Sequence, residues 1–526
     1  MATYLNPGNE SFRVIRNGKY VDKTGLVDYI NGTIDTPFKM TCFSRARRFG
    51  KSFAAKMLCS YYDKTCDSHE LFDDLEVVKC LSYEKHINKY DVIYLDMTWF
   101  ISTTEDIKHI VGDIQKSVID ELNECYPNAR VSDETSLPRA LLKAVSYTGD
   151  KFIVIIDEWD ALFREAKDDD ALQREYVQLL RGLFKGGAAT DKSIAAAYMT
   201  GILPIKKYGT QSALTDFKEY TMVEPLALSE YVGFTEDEVK SLCKEYNMDF
   251  DEMKKWYDGY AFSEIKSVYN PNSVMNAIKF RKFRSYWTSS ETYESLKSYI
   301  GMNFNGLKDA IVSMLGGEKI RVNTVRFQND VTSFESRDDV LTLLVHLGYL
   351  AYDETGRGTY IPNLEVSDSF EAAVEGREWG IVEKAIADSD KLLDATTKGD
   401  ADAVAAALEK IHESNFSILK YNDENSLSCA VTIAYYTARS HYRIIREFPS
   451  WRGFADIAFL PYKNTDKPAM IVELKYNKDA DTAIRQIKEK RYDGKMREYC
   501  GSDNLILVGI NYDRETKKHS CLIERI

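Results

Sequence analysis

The chain has 526 residues, 44% hydrophobic and 29% charged, with a net charge of −13. That length exceeds what one core supports and predicts about two to four domains, and the balance excludes long disorder. No apolar run reaches the ~18 residues that span a bilayer, MATYLNPGNESF lacks a signal pattern, and nine scattered cysteines without C-x-x-C predict a reduced, cytoplasmic chain with no membrane partner and no cysteine-built zinc site.

Residues 1–225 alternate apolar runs with amphipathic helical stretches. KMTCFS (39–44), YDVIYLDM (90–97), KFIVIIDE (151–158) and SIAAAYMTG (193–201) read as strands. This alternation predicts an α/β domain with a parallel sheet covered on both faces. Residues 226–362 read as a helical lid and a winged-helix-like region. Thr235 and Glu238 fit a capping box, PNSVMNAIKF a capped helix, and DDVLTLLVHLGYLAYDE followed by GTYIPN a helix and short hairpin. The acidic, Ala-rich stretch 363–420 reads as a helical spacer. Residues 421–526 read as a last module: a helix, three strand runs (442–448, 454–460, 469–476), a helix over 480–499 and two more strand runs. From His441 onward there are 17 Lys and Arg against 13 Asp and Glu, an excess of four that leaves −17 on the remainder. A locally basic module on an acidic chain suits a phosphate backbone; a solvated surface explains the same excess.

Residues 44–52, SRARRFGKS, lie between a strand run and a helical one. A phosphate-binding loop reads G-x-x-x-x-G-K-[ST]: its amides and the helix N-terminus face phosphate, its lysine reaches the terminal phosphates and its hydroxyl meets Mg²⁺. Gly50, Lys51 and Ser52 match, and Arg45 replaces the first glycine. Arg45, Arg47 and Arg48 place three guanidinium groups at the loop, with no acid between Thr41 and Lys56. They suit lost loop contacts or transferred phosphate; a solvated basic turn is the alternative. FIVIIDE ends in Asp157 and Glu158, which suits a Mg²⁺ shell and a water-polarising base. A strand ended by surface acids is the plain reading.

In GFADIAFLPYKNTDKPAMIVELKY (453–476), strand residues two apart share a face, so Glu473 and Lys475 project together while Val472 and Leu474 face the other way. A hairpin pairing of the two strands brings Asp456 to them. Two carboxylates suit Mg²⁺, which activates water and neutralises charge on a phosphodiester; a lysine there stabilises the developing charge. A structural acid–lysine pair on an exposed sheet face is the alternative.

VDKTGLVDYI (21–30), SRARRFGKS, IIDEWDAL (155–162), YMTGIL (198–203), GFTEDEV (233–239), WYDGYAF (256–262) and VYNPNSVMNAI (268–278) together resemble the bacterial AAA-ATPase-like proteins with a carboxy-terminal PD-(D/E)XK nuclease-like domain. In that family the typical loop reads R-P-R-R-F-G-K-S; this chain has Ala46 at the proline. The resemblance implies ATP at Arg47, Arg48, Gly50, Lys51, Ser52 and Asp157, with Ser52 and Asp157 on the ion, Glu158 as base, Thr200 as a sensor and Asp22 near the nucleotide. In the last module it implies a restriction-endonuclease-like α/β core with Asp456 and Glu473-x-Lys475 on the motif, Asp456 and Glu473 on Mg²⁺, Glu424 as the helix acid with Glu447 as its competitor, and Gln486 and then Tyr492 beside the site.

The reading is an NTP-regulated, Mg²⁺-dependent nuclease acting on nucleic acid, DNA before RNA, with homo-oligomer formation left open. The alternative is an ATP-dependent switch or nucleic-acid-binding protein without cleavage, which the substituted loop keeps in play. A purely structural scaffold is a third.

Overall fold

The computed structural model describes residues 3–526 apart from 132–133, 206, 209–210, 213, 263–264, 288–291, 303, 328–333, 375–379, 415–423, 451–452, 463–464 and 501–503. The chain divides into two compact units, Met1–Trp287 with Arg321–Glu365, and Thr288–Ile320 with Val366–Ile526.

The first unit is built on a sheet of five strands: β1 (Met40–Ser44), β2 (Asp91–Asp96), β3 (Phe152–Asp157), β4 (Ile194–Gly201) and β5 (Lys218–Tyr220). Their order is β2-β3-β4-β1-β5, with every pairing parallel. Helices cover such a sheet on both faces, so its strands read as unbroken apolar runs; β1, β3 and β4 are buried throughout. Helices Ile110–Cys125, Leu137–Thr148 and Asp170–Phe184 add Val118, Leu141 and Leu180 to the same core. The sequence patterns foreshadow four of the strands. The fifth, Lys-Glu-Tyr, is an edge strand with one buried residue and too short for any periodicity to register.

Further along, the capping box forms. Thr235 N–H donates to Glu238 Oε2 at 2.7 Å and the hydroxyl of Thr235 accepts from Glu238 N–H, which starts helix Glu236–Tyr246. Asn270 caps helix Pro271–Phe280. Helix Arg337–Leu347 stops at Gly348, whose φ of 86° suits a residue without a Cβ. The hairpin Ala351–Asp353 and Gly358–Tyr360 follows it.

The second unit carries a mixed sheet: β6 (Tyr442–Ser450), β7 (Gly453–Pro461), β8 (Ala469–Tyr476), β9 (Leu505–Asp513) and β10 (Lys518–Arg525), in that order. β8 and β9 are parallel and the other neighbours antiparallel. A parallel pair needs a crossover, and two helices supply it, α1 (Ala480–Glu489) and α2 (Tyr492–Cys500). The single helix expected over 480–499 is broken at Arg491, which has φ 56°.

The spacer expected over 363–420 is not one. Helices Gly380–Lys398 and Ala401–Ser414 are part of the second unit. Val404, Leu408 and Ile411, spaced i, i+4 and i+7, form one apolar stripe that is buried. Arg525 donates to the carbonyl of Thr397 at 3.1 Å, and the hydroxyls of Thr396 and Tyr435 lie 2.6 Å apart.

Candidate active sites

Strand β1 ends at Ser44, and helix Lys51–Tyr62 begins seven residues later behind Gly50. Gly50 has φ 93° and Arg48 φ 68°, so the chain turns tightly into the helix. The Lys51 ammonium is buried and donates to the loop carbonyls of Arg45 and Ala46 at 3.0 and 3.1 Å. It also lies 3.6 Å from Glu158 Oε1. Asp157, at the end of β3, accepts from the hydroxyls of Thr200 and Tyr94, the latter at 3.3 Å, and is hydrogen-bonded to Ser52. Burial pushes its carboxyl above the usual range against those hydrogen bonds. Glu158 takes a left-handed φ of 55°. Burial alone raises its pKa; Lys51, Arg164 and Arg47 together outweigh that and hold the carboxyl below the ordinary value. Thus Gly50, Lys51, Ser52, Asp157, Glu158 and Thr200 come together at the carboxyl ends of parallel strands, where such sheets place ligands.

Arg47 is half-buried on the Glu158 side, and Arg48 is exposed, with Nη1 3.4 Å from Asn272 Oδ1. Arg45 differs from expectation. It is fully buried, donates to the carbonyl of Thr221 and lies 4.5 Å from the ring centre of Phe262. A guanidinium packed there is a structural pillar rather than a phosphate contact. Ala46 meets Gly348 so closely that a Cβ on Gly348 would lie 2.5 Å from its own. Asp22 accepts from the N–H groups of Thr24 and Glu76, the ordinary work of a turn. Sequence reasoning missed Tyr94, Asp160 and Arg164; the i, i+4 spacing of the last two is a pairing signal.

In the second unit the carboxylates meet where a ladder opens. Residues of β7 and β8 pair through Phe459↔Met470, Ala458↔Ile471 and Ile457↔Val472. Beyond Ile457 side chains take over: Leu474 N–H donates to Asp456 Oδ2 at 2.6 Å, and Asp456 N–H lies 3.4 Å from Glu473 Oε2. Lys475 Nζ donates to Glu473 Oε1 at 2.9 Å, and Gln486 Nε2 donates to the same oxygen from α1. Glu473 and Lys475 are 1% and 4% exposed. Burial, and then the charge of Asp456, push the Glu473 carboxyl up to about 7 despite Lys475. Ile471, on the Glu473 face, joins Ile484 and Ile487 of α1 in one core, which brings Gln486 over the acids. Tyr492 is buried and hydrogen-bonded to Gln486. Gly453 (φ 136°) leaves room beside it: a Cβ there would sit 3.3 Å from the Tyr492 hydroxyl. Glu424 begins helix Glu424–Ala434, but its side chain lies outside the described residues. Glu447 is exposed at φ 50° between the pairs Arg446↔Ile457 and Phe448↔Ala455 of the β6–β7 ladder, whose register runs through unchanged. Among the described residues no group of three or more His, Cys, Asp and Glu is placed to hold a metal; the donors here are a carboxylate pair.

Comparison with known proteins matches residues 7–210 to the AAA-ATPase-like family, described as "Predicted AAA-ATPase", and residues 423–520 to the PD-(D/E)XK nuclease superfamily. The chain joins an AAA-ATPase-like domain to a PD-(D/E)XK nuclease superfamily domain. The AAA-ATPase-like domain holds the Lys51 site, and the PD-(D/E)XK domain holds the Asp456–Glu473–Lys475 site. Over 291 residues the chain is 24% identical to an uncharacterised protein of the vnfD 5′ region in Azotobacter chroococcum mcd 1, a match covering 54% of each. The chain thus spans about half the length of that curated relative. The ORC2 protein of Aeropyrum pernix, solved in ADPNP–ADP complexes, aligns over 67% of this chain and 93% of its own at 10% identity and a TM-score of 0.25, a likeness too slight to place the fold. The fold class rests instead on the parallel sheet with its strand–loop–helix entry and on the mixed sheet of the PD-(D/E)XK domain. Among the described residues no helix is long and apolar enough to cross a membrane.

Proposed function

We propose that this protein is an NTP-regulated, Mg²⁺-dependent nuclease that hydrolyses nucleic-acid phosphodiesters, DNA before RNA, in the cytoplasm. The observation that carries the reading is the opening of the β7–β8 ladder, where two acids, a lysine and a glutamine occupy one small volume. A divalent cation fits there. The buried Glu473 carboxylate pairs with the Lys475 ammonium beside the half-buried Asp456, and burial, then the charge of Asp456, already holds Glu473 partly protonated.

Asp456 and Glu473 are the residues that would hold Mg²⁺. When bound, the ion lowers the pKa of a water and offsets charge on the phosphate. Gln486 fixes the Glu473 carboxylate, and Lys475 supplies a positive charge for the anionic transition state. Glu424 enters as the further helix acid. In the AAA-ATPase-like domain, Gly50, Lys51, Arg47 and Arg48 would hold nucleotide phosphates, Ser52 and Asp157 would hold the Mg²⁺ that accompanies ATP, and Glu158 would take the proton of the attacking water.

The test is supercoiled plasmid incubated with the full chain, with and without ATP at fixed free Mg²⁺. Asp456→Ala and Lys475→Ala should each lower cleavage on the order of 10²-fold or more; wild-type rates in both reject the nuclease reading. Lys51→Ala should remove the response to ATP and leave basal cutting. Because Arg45 replaces the loop glycine and is buried, a nucleotide-gated nucleic-acid-binding protein is the second reading. ATP-dependent retention of uncut DNA would favour it.

A further inference from the structure

The Glu158 carboxylate is gripped from two sides. Oε2 accepts from Arg164 Nη2 at 2.5 Å, while Oε1 lies 3.6 Å from Lys51 Nζ. Arg164 is itself braced. Its Nε lies 3.3 Å from Asp160 Oδ2, one helical turn back. Asp160 is 1% exposed and accepts the N–H groups of Ile202 and Leu203 at 3.2 and 2.9 Å. Those two residues directly follow β4, whose Thr200 hydroxyl accepts from Glu158 N–H at 3.2 Å and donates to Asp157. The chain of contacts runs from the sensor strand through Asp160 and Arg164 to the carboxylate facing Lys51. A rigid guanidinium fork suits the task of holding two carboxylates in fixed relation, which a lysine does less well.

We propose that Arg164 is a positioning residue for nucleotide hydrolysis: it pins Oε2 of Glu158 so that Oε1 stays turned toward the phosphate loop. This rests on the reading of Lys51 and Glu158 as an ATP-hydrolysing site. In that reaction the water oxygen bonds to the γ-phosphorus as the bond from that phosphorus to the β,γ-bridging oxygen breaks. The electron pair of the broken bond leaves on ADP, and the water proton passes to Glu158. Arg164 touches none of the reacting atoms. It acts through Glu158, and misplacing a base by about 1 Å costs on the order of 10²-fold in rate.

The experiment is steady-state phosphate release by the full chain, with nucleotide affinity from calorimetry. Arg164→Gln should lower kcat at least tenfold and leave KM and Kd for ATP within twofold; Arg164→Lys should recover part of the loss. In a Glu158→Gln background, Arg164→Gln should have no further effect, because the group it positions is gone. A KM rise at unchanged kcat, or full additivity with Glu158→Gln, overturns the proposal while leaving the ATPase reading intact. Should Arg164→Gln fail to fold, Arg164→Lys goes through the same cycle, and the same outcomes support or overturn the proposal. No phosphate release by the wild type overturns the ATPase reading and this role with it.

Discussion

At the scale of single residues, Glu473 has the sharpest consequence. Its carboxyl is pushed to about 7 from an ordinary 4.5, first by burial and then by Asp456. The folded chain therefore keeps a proton that the unfolded chain releases above about pH 4.5. Stability of the metal-free second unit is full below that pH and falls as pH rises to about 7, by at most ~3 kcal/mol. Mg²⁺ needs the ionised form, so its affinity should climb over the same interval and level off above it. Urea midpoints in chelator against pH, and Mg²⁺ titrations at pH 5.5 and 8, check both. Glu473→Gln should flatten the first curve and abolish the second. The motif spacing alone identified this acid, but its partners Asp456, Lys475 and Gln486 acquired distances only once β7, β8 and α1 were packed.

At the scale of elements, the phosphate loop is held by segments later in the chain. Arg45 reaches Thr221 and Phe262, and Phe49 packs edge-on against Tyr260 at 5.3 Å. Asn270 Nδ2 lies 3.4 Å from the carbonyl of Arg47. The first loop position thus ties the end of β1 to Thr221 and to Phe262. Among the described residues Arg45 makes no carboxylate pair and its Nε and Nη2 make no hydrogen bond, and burial lowers its pKa to about 9. Replacing such an ion by an apolar side chain of similar length is commonly neutral or stabilising. Arg45→Met should keep or raise the thermal midpoint. Arg45→Gly restores the standard loop spelling but leaves a cavity, and should cost about 3 kcal/mol in denaturant titration. The same burial, with Arg45 contributing, holds His346 at about 3. The unfolded chain protonates this residue near 6.5, so stability of the first unit should fall as pH drops below 6.5, by at most ~1.4 kcal/mol per pH unit. His346→Leu should remove that slope from a pH series of urea midpoints.

At the scale of the molecule, the second unit extends well beyond its sheet. Leu392, Leu393, Val404 and Leu408 of the helices before residue 415 are buried. Arg446 reaches back to Glu318 at 2.6 Å within the same unit. A fragment of residues 421–526 should be less stable than one of residues 366–526 by about 6 kcal/mol or more, at ~1.5 kcal/mol for each of those four side chains. Comparison of their urea midpoints checks it, and equal midpoints would restore a spacer role to residues 363–420. Under the proposed function, a coupling of ~1–3 kcal/mol between ATP and cutting would correspond to about 5- to 150-fold in rate.

The sequence by itself determined four strands of the parallel sheet, all five of the mixed sheet, the capping box and the two acid-bearing motifs. Each of these is written in local terms, as an apolar run, a period of two or a hydroxyl three residues from an acid. Only the tertiary structure decided the rest. The edge strand Lys218–Tyr220 exists because β1 offers it a partner. Arg45 left the loop mouth because Phe262 and the Thr221 carbonyl, over 170 residues away, enclose it. Residues 363–420 ceased to be a spacer because their apolar stripe met other helices of the second unit. Arg164 became a partner of Glu158 because the turn after β3 folds one helical turn back upon it. These are relations between segments far apart in the chain or turned upon themselves, and no local period encodes them.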